Sequence, residues 1–213
     1  MEHPHHVLGI FAKTPRPGQV KTRLSPPLSP EQASAFYALS LDETIKRALQ
    51  GPWRTLLFYS DAPDYFHARY PTLPLAPQQG ENLGARMSHA LGTLLATGAE
   101  AAALIGSDSP DLPEEQLHDA FAALKQHAAV VAPSHDGGYV LIGEREHHPE
   151  LFRDIAWSTP QVLDATRTRA EQHAISLHEL SPWEDVDDEA SLKRLIQRSP
   201  ASACARLARK WLT

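Results

Sequence analysis

One cysteine, Cys204, stands among 213 residues. That excludes a disulfide framework and a cysteine-rich zinc site. Long apolar runs are missing too, since no stretch approaches the ~18 apolar residues of a membrane-spanning helix. The chain opens on polar residues, MEHPHH, before a short apolar run. No signal peptide and no membrane partner are therefore expected, and the location expected is cytoplasmic. The histidines of that opening are expected to form a flexible end rather than a metal site. Positive charge is in deficit. Lys and Arg number 20 against 26 Asp and Glu, a formal net charge of -6, so the surface as a whole does not attract nucleic acid. The G-x-G-x-x-G fingerprint, the Walker A spacing and the G-x-S-x-G elbow that would mark the nucleophile of a Ser-His-Asp triad are all absent. There is no linker-like stretch and no internal repeat, so one domain spanning 1–213 is expected. Composition does not speak to oligomeric state.

What is present centres on residues 101–113, AAALIGSDSPDLP. The apolar run from Ala101 to Ile105 reads as a strand buried on both faces, as in parallel sheets. It stops at Gly106 and releases Ser107, Asp108 and Asp111 into a loop. Asp111 and Glu114 are spaced like a capping box, and Pro113 suits a first helical turn, so Asp111 is expected to cap a helix running to Gln126. Nothing local requires Asp108. An aspartate at the carboxyl end of an interior strand lies where open α/β sheets bind ligands. It can hold a hard cation such as Mg²⁺ together with substrate phosphates.

Five further segments carry candidate chemistry. Residues 13–27, KTPRPGQVKTRLSPP, follow a predicted first strand at 7–12, and hold four prolines and the cations Lys13, Arg16, Lys21 and Arg23. Such a loop is suited to phosphate, with lysines as point charges and arginine as a bidentate fork. Residues 78–87, QQGENLGARM, offer Gly80 and Gly84 for close backbone approach, Asn82 to read a base or ribose edge, and Arg86 on the first turn of a helix predicted over 83–96. Asp136, Gly137 and Gly138 form a hairpin-type turn that brings bare backbone toward a substrate. Trp157, Ser158 and Thr159 precede a helix expected to begin at Pro160, and Trp157 is taken with the substrate. In WEDVDDEAS, Asp188 is the expected helix cap. Asp185 and Asp187 alternate on an extended segment and so point the same way. The remaining helices, 30–49 with a Ser29–Gln32 capping box and 200–212, read as scaffold.

Buried strands alternating with helices predict a three-layer α/β/α sandwich with a mostly parallel mixed sheet. The motifs FAKTPRPGQVKTRL, QQGENLGARM, GSDSPDLP, DGGYVLIG, WST and DVDDEASL, in this order over residues 8–193, resemble the DUF2064 family. That family is often labelled glycosyltransferase-like or radical-SAM-associated transferase, within the nucleotide-diphospho-sugar transferase (GT-A) superfamily. The chain is also similar to 2-phospho-lactate and molybdenum cofactor guanylyltransferases. The resemblance implies that Lys13, Lys21, Thr22 and Arg23 hold nucleotide phosphates. It also implies that Asp108 holds Mg²⁺ or Mn²⁺, and that Asp185 or Asp187 completes the metal site. Two departures stand out. The first loop is not the G-x-G-T-R of sugar-nucleotide pyrophosphorylases, and the acidic motif is S-D-S rather than D-x-D.

The function expected is transfer of a nucleotide from a nucleoside triphosphate to a small phosphorylated acceptor, with Lys21, Arg23 and Asp108 in the catalytic roles and Ser107 with the nucleotide. Glycosyl transfer from a nucleotide-sugar to a small-molecule acceptor is the alternative, and a nucleotide-binding module without catalysis is the third.

Overall fold

The computed structural model describes residues 5–212 of the chain. Its seven strands are β1 (His6–Ala12), β2 (Arg54–Tyr59), β3 (Leu75–Pro77), β4 (Ala101–Ile105), β5 (Ala129–Pro133), β6 (Tyr139–Glu144) and β7 (Leu177–Glu179). They form one sheet in the order β3-β2-β1-β4-β6-β5-β7. Only β6 runs antiparallel to its neighbours, as the second arm of a hairpin with β5. The mixed, mostly parallel sheet predicted from the pattern is the one observed.

The layers follow from strand alternation. Ala101, Ala103 and Ile105 of β4 join a core with Leu8, Ile10, Leu41, Ile45, Leu117 and Phe121. Leu8 and Ile10 come from the neighbouring β1, Leu41 and Ile45 from α1 (Pro30–Ala48), and Leu117 and Phe121 from α4 (Glu114–Ala123). The intervening Ala102 and Leu104 point to the other face, where Met87, Leu91 and Leu94 of α3 (Leu83–Leu95) cover them. α2 (Pro63–Arg69) seats Phe66 in the first core, and α5 (Val162–Gln172) seats Leu163 in the second. A third cluster packs α6 (Glu189–Arg198) and α7 (Ala203–Leu212) on α1 through Phe36, Leu192, Leu195 and Cys204.

Local signals set several boundaries. Ser29 and Gln32 form the reciprocal capping box at α1, with Pro30 at its first position. Asp188 caps α6 by accepting from Ser191 N. Other expectations are corrected. Asp111 does not cap α4, whose N-cap is Pro113 with no side-chain bond. Its carboxylate is instead held by Arg198 Nε at 2.6 Å and Ser199 Oγ at 2.7 Å, because a buried carboxylate gains more from a bidentate cation than from a helix end. The last helix starts at Ala203 rather than Pro200. Glu43 of α1 reaches across to accept from Ala203 N and Cys204 N, each at 2.9 Å. The helix after Trp157 starts at Val162, two residues past Pro160. Of the opening histidines, His3 lies outside the described residues, whereas His6 begins β1 and stacks on Phe121 at 4.5 Å instead of forming a free end.

Two connections matter for function. From β1 the chain moves outward through β2 to β3, then returns to place β4 on the other side of β1. That reversal is a topological switch point, and the crevice beyond the carboxyl ends of β1 and β4 is where such sheets take ligands.

Candidate functional site

The loop leaving β1 is pinned from several sides. Tyr37 of α1 accepts from Lys13 N at 2.8 Å and shares a 2.7 Å hydrogen bond with Ser107 Oγ. Ser40 Oγ donates to Ser107 O at 2.6 Å, so α1 ties the ends of β1 and β4 together. Burial, and then the charge of Asp108, push the Tyr37 phenol up to about 12, so it remains a neutral hydrogen-bonding strut at pH 7. Thr14 Oγ1 donates to Asp61 Oδ1 at 2.6 Å, and Asp61 also pairs with Arg16 at 2.9 Å, which commits Arg16 to the loop's own anchoring.

At Lys21 the backbone is left-handed, with φ 48 and ψ 39, as it enters the 3₁₀ turn Thr22–Leu24. For a residue other than glycine this conformation costs roughly 1–2 kcal/mol. It aims the Lys21 side chain, 2% exposed, into the crevice. Its Nζ lies 2.6 Å from Asp108 Oδ1 and 2.8 Å from Asp187 Oδ1. Burial disfavours the Lys21 charge, yet Asp108, Asp187 and Asp185 together outweigh it and raise its pKa, so the ammonium is charged at any ordinary pH.

The distal aspartates arrive by backbone splicing. Val186 N donates to Asp108 O at 2.9 Å, and the Val186 side chain, 0% exposed, is buried in the third cluster. The alternation read from the sequence then sends Asp185 and Asp187 to the crevice side. Ser109 Oγ donates to Asp185 Oδ1 at 2.6 Å. Burial, followed by the negative charge of Asp108, pushes the Asp185 carboxyl well above the usual carboxylate range against the pull of Lys21.

The resulting cleft encloses about 530 Å³, within the range of small-molecule sites. Of the residues singled out in the sequence, Lys13, Lys21, Thr22, Arg86, Ser107, Asp108, Asp185 and Asp187 line it. The others do not. Arg23 points toward Asp188, at 3.5 Å, on the outer side of its turn. Asn82 Oδ1 caps α3 by accepting from Ala85 N at 2.9 Å, which spends the acceptor expected to read a base. Gly84 makes room for an indole: a Cβ there would lie 2.3 Å from Trp157 atoms. Gly80 approaches the backbone of Ala85 and Arg86, and its carbonyl accepts from Arg86 Nε at 3.1 Å. Asp136 closes its own turn by accepting from Gly138 N at 3.1 Å. Gly137, at φ 87, lies against Pro160, whose carbonyl oxygen would be 2.0 Å from any Cβ. These close backbone approaches are therefore intramolecular.

Among the lining residues to which the sequence reading gave no site role are Tyr37, Gln78 and Ser158. Tyr37 sits in the helical apolar stripe of α1 and reads there as core. Gln78 Nε2 donates to Ala12 O at 3.2 Å and Phe58 O at 3.0 Å, bridging the ends of β1 and β2. No local signal marks it beyond its place in QQGENLGARM. Ser158 lines the cleft in a left-handed conformation, φ 64, which only the packing of the 157–160 segment reveals.

Chemically, the cleft sets a buried ammonium among three carboxylates, with Lys13 and Arg86 as further cations on its walls. The donor set suits Mg²⁺ or Mn²⁺, since the carboxylate oxygens of Asp108 and Asp187 converge within reach of one shared partner. Among the described residues no group of three or more His, Cys, Asp or Glu forms a metal cage. Among the described residues no helix is long and apolar enough to cross a membrane.

The comparisons agree with this architecture. No curated protein matches the chain. A structure from Desulfovibrio desulfuricans G20, provisionally named a nucleotide-diphospho-sugar transferase, is 30% identical with a TM-score of 0.91, over 97% of this chain and 94% of its own. CMP:2-keto-3-deoxy-manno-octonic acid synthetase complexed with CTP shares the fold at 12% identity and TM-score 0.59, over 96% of this chain and 99% of its own. Rv0371C from Mycobacterium tuberculosis H37Rv, in complex with manganese, does so at 16% identity and TM-score 0.51, over 90% and 98%. The model for "Uncharacterized protein conserved in bacteria (DUF2064)" matches residues 44–159, more than half of the sequence, and the chain belongs to that family.

Proposed function

We propose that the protein is a metal-dependent nucleotidyltransferase. It moves a nucleotide from a nucleoside triphosphate to a small phosphorylated acceptor and releases pyrophosphate. The observation that carries this reading is the Lys21 ammonium held between Asp108 and Asp187 at the carboxyl ends of β1 and β4. That cluster joins a phosphate-seeking cation to a carboxylate pair suited to a hard metal, in one cleft.

In this mechanism Lys13 and Lys21 take the charge of the β- and γ-phosphates, and Thr22 and Arg86 fix the chain of phosphates from the walls. Ser107, locked by Tyr37 and Ser40, sets the level at which the α-phosphate rests. An oxygen of the acceptor phosphate attacks the α-phosphorus, the bond to the bridging oxygen breaks, and pyrophosphate carries the electron pair away. Asp108 and Asp187 would hold Mg²⁺ or Mn²⁺, with Asp185 behind them, and the ion would supply charge neutralisation at the phosphates. No residue here is required as a covalent nucleophile. Catalysis is positioning plus electrostatic stabilisation, as in phosphoryl transfer generally.

A second reading, glycosyl transfer from a nucleotide-diphospho-sugar, is favoured by the name of the 30% identical relative. The same cations would then steady a departing nucleoside diphosphate. One assay separates them. Each nucleoside triphosphate and each nucleotide-sugar is incubated with Mg²⁺ or Mn²⁺ and a panel of phosphorylated and sugar acceptors. Pyrophosphate from triphosphates supports the first reading, and nucleoside diphosphate from nucleotide-sugars the second. Tight nucleotide binding with neither product would indicate a binding module.

A further inference from the structure

We propose that Lys21 latches the acidic pair, so that this site accepts a divalent cation joined to nucleotide phosphates and rejects the bare cation. The inference rests on the nucleotide reading above and adds to it the form in which the ligand must arrive.

The geometry of one nitrogen carries it. Asp108 Oδ1 and Asp187 Oδ1 converge on Lys21 Nζ at 2.6 and 2.8 Å. A Mg²⁺ shared by the same two oxygens needs bonds of about 2.0–2.1 Å and so requires the volume that the ammonium fills. Ammonium and cation therefore exclude each other there. The latch is also built rather than incidental. Lys21 takes a left-handed backbone, Leu24 N donates to its carbonyl at 2.9 Å, and buried Val20 and Leu24 fix the loop on either side. Such a held side chain loses little further freedom in keeping its two contacts.

Displacing Lys21 requires another anion to receive it, because a buried ammonium without a counter-charge is costly. The other basic groups on the cleft walls, Lys13 and Arg86, would repel it. Nucleotide phosphates meet both needs at once. They receive the Lys21 ammonium, and they give the incoming cation the oxygen ligands that two carboxylates alone do not complete. Metal and nucleotide binding are then reciprocally coupled through one side chain.

The test is Mn²⁺ binding, followed by electron paramagnetic resonance and calorimetry, on the intact protein with and without α,β-methylene analogues of the four nucleoside triphosphates. With Mn²⁺ alone, the native protein should bind at least about tenfold more weakly than Lys21→Met, while Lys21→Arg should stay weak because it keeps the charge. Adding an analogue should bring tight Mn²⁺ binding to the native protein. The gain in Lys21→Met should vanish in Lys21→Met/Asp108→Asn. If Lys21→Met does not fold by circular dichroism, Lys21→Gln carries the same comparison. Equal Mn²⁺ affinity of the native and neutralised proteins, or a gain that survives Asp108→Asn, overturns the latch. If no analogue binds any of the proteins, the nucleotide reading fails, and the Mn²⁺-alone comparison still decides whether Lys21 excludes the bare ion.

Discussion

Asp108 and Asp111 leave the same strand three residues apart and end in opposite circumstances. Asp108 keeps 41% of its side chain exposed in the cleft and faces Lys21. Asp111 is 1% exposed and clamped by Arg198 through two hydrogen bonds, at 2.6 and 2.9 Å, with Ser199 adding a third. Arg198 also contacts Glu184 and lies over the Trp183 ring at 5.2 Å. The second cluster is saturated and joins the β4–α4 connection to the end of α6. The first sets one ammonium against Asp108, Asp187 and the neighbouring Asp185. A saturated ion pair has no bonding capacity to spare and is costly to break, whereas an acidic excess at a strand end leaves capacity for a ligand.

The contrast can be broken from either side. Asp111→Ala should cost about 3 kcal/mol, because Arg198 Nε and Nη2 and Ser199 Oγ lose their acceptor in a half-buried site and Glu184 alone remains paired with the guanidinium. In a chain of this length that lowers Tm by about 6–12 °C in a calorimetric scan, with nucleotide affinity of the folded fraction unchanged. Asp108→Asn should do the reverse. Turnover should fall about 100-fold or more, as when a preorganised charge contact is lost, while Tm moves little because Asp187 still holds Lys21. Asp108→Asn lowering Tm as far as Asp111→Ala, with turnover intact, would erase the distinction between the two clusters.

A third variant probes a region that the sequence marks as ligand-facing and the structure marks as packing. Gly84→Val should destabilise by about 1–3 kcal/mol, since its side chain must displace the Trp157 indole. Urea titration reads this directly, and weakened nucleotide binding at unchanged stability would return Gly84 to the ligand site. The smallest effect belongs to Arg23→Ala. Its 3.5 Å exposed pair with Asp188 is worth well under about 1 kcal/mol, and it lies outside the cleft lining. Nucleotide affinity should change by less than about threefold, in contrast to Lys21→Ala, which removes a cation from inside the cleft. Equal losses in the two variants would place Arg23 on the phosphates.

Much of the fold was legible in advance because its signals are local. AAALI reads as a doubly buried strand since five small or apolar residues in succession leave no polar face, and that strand is observed at 101–105. Ser29, Pro30 and Gln32 mark a helix start because their bonds close within three residues. Asp185 and Asp187 could be paired because strand alternation is a property of the backbone. Asn82 and Gly84 differ: their residue types fit a ligand loop, while the contacts the fold gives them, with Ala85 N and the Trp157 ring, had to be located in space.

Sequence alone determined the alternating layers, the basic loop after β1 and the carboxylate after β4, because each follows from residues within one turn or one strand of each other. Only the tertiary structure decided which acids meet which bases. Lys21 and Asp187 are 166 positions apart and Asp111 and Arg198 are 87 apart, so no local periodicity relates them. Their pairing is set by the Val186 N–Asp108 O bond and the packing of α6 on α1, which bring the chain's last third against the ends of β1 and β4. A charged side chain's partner is chosen by distance and burial, and both are properties of the assembled core.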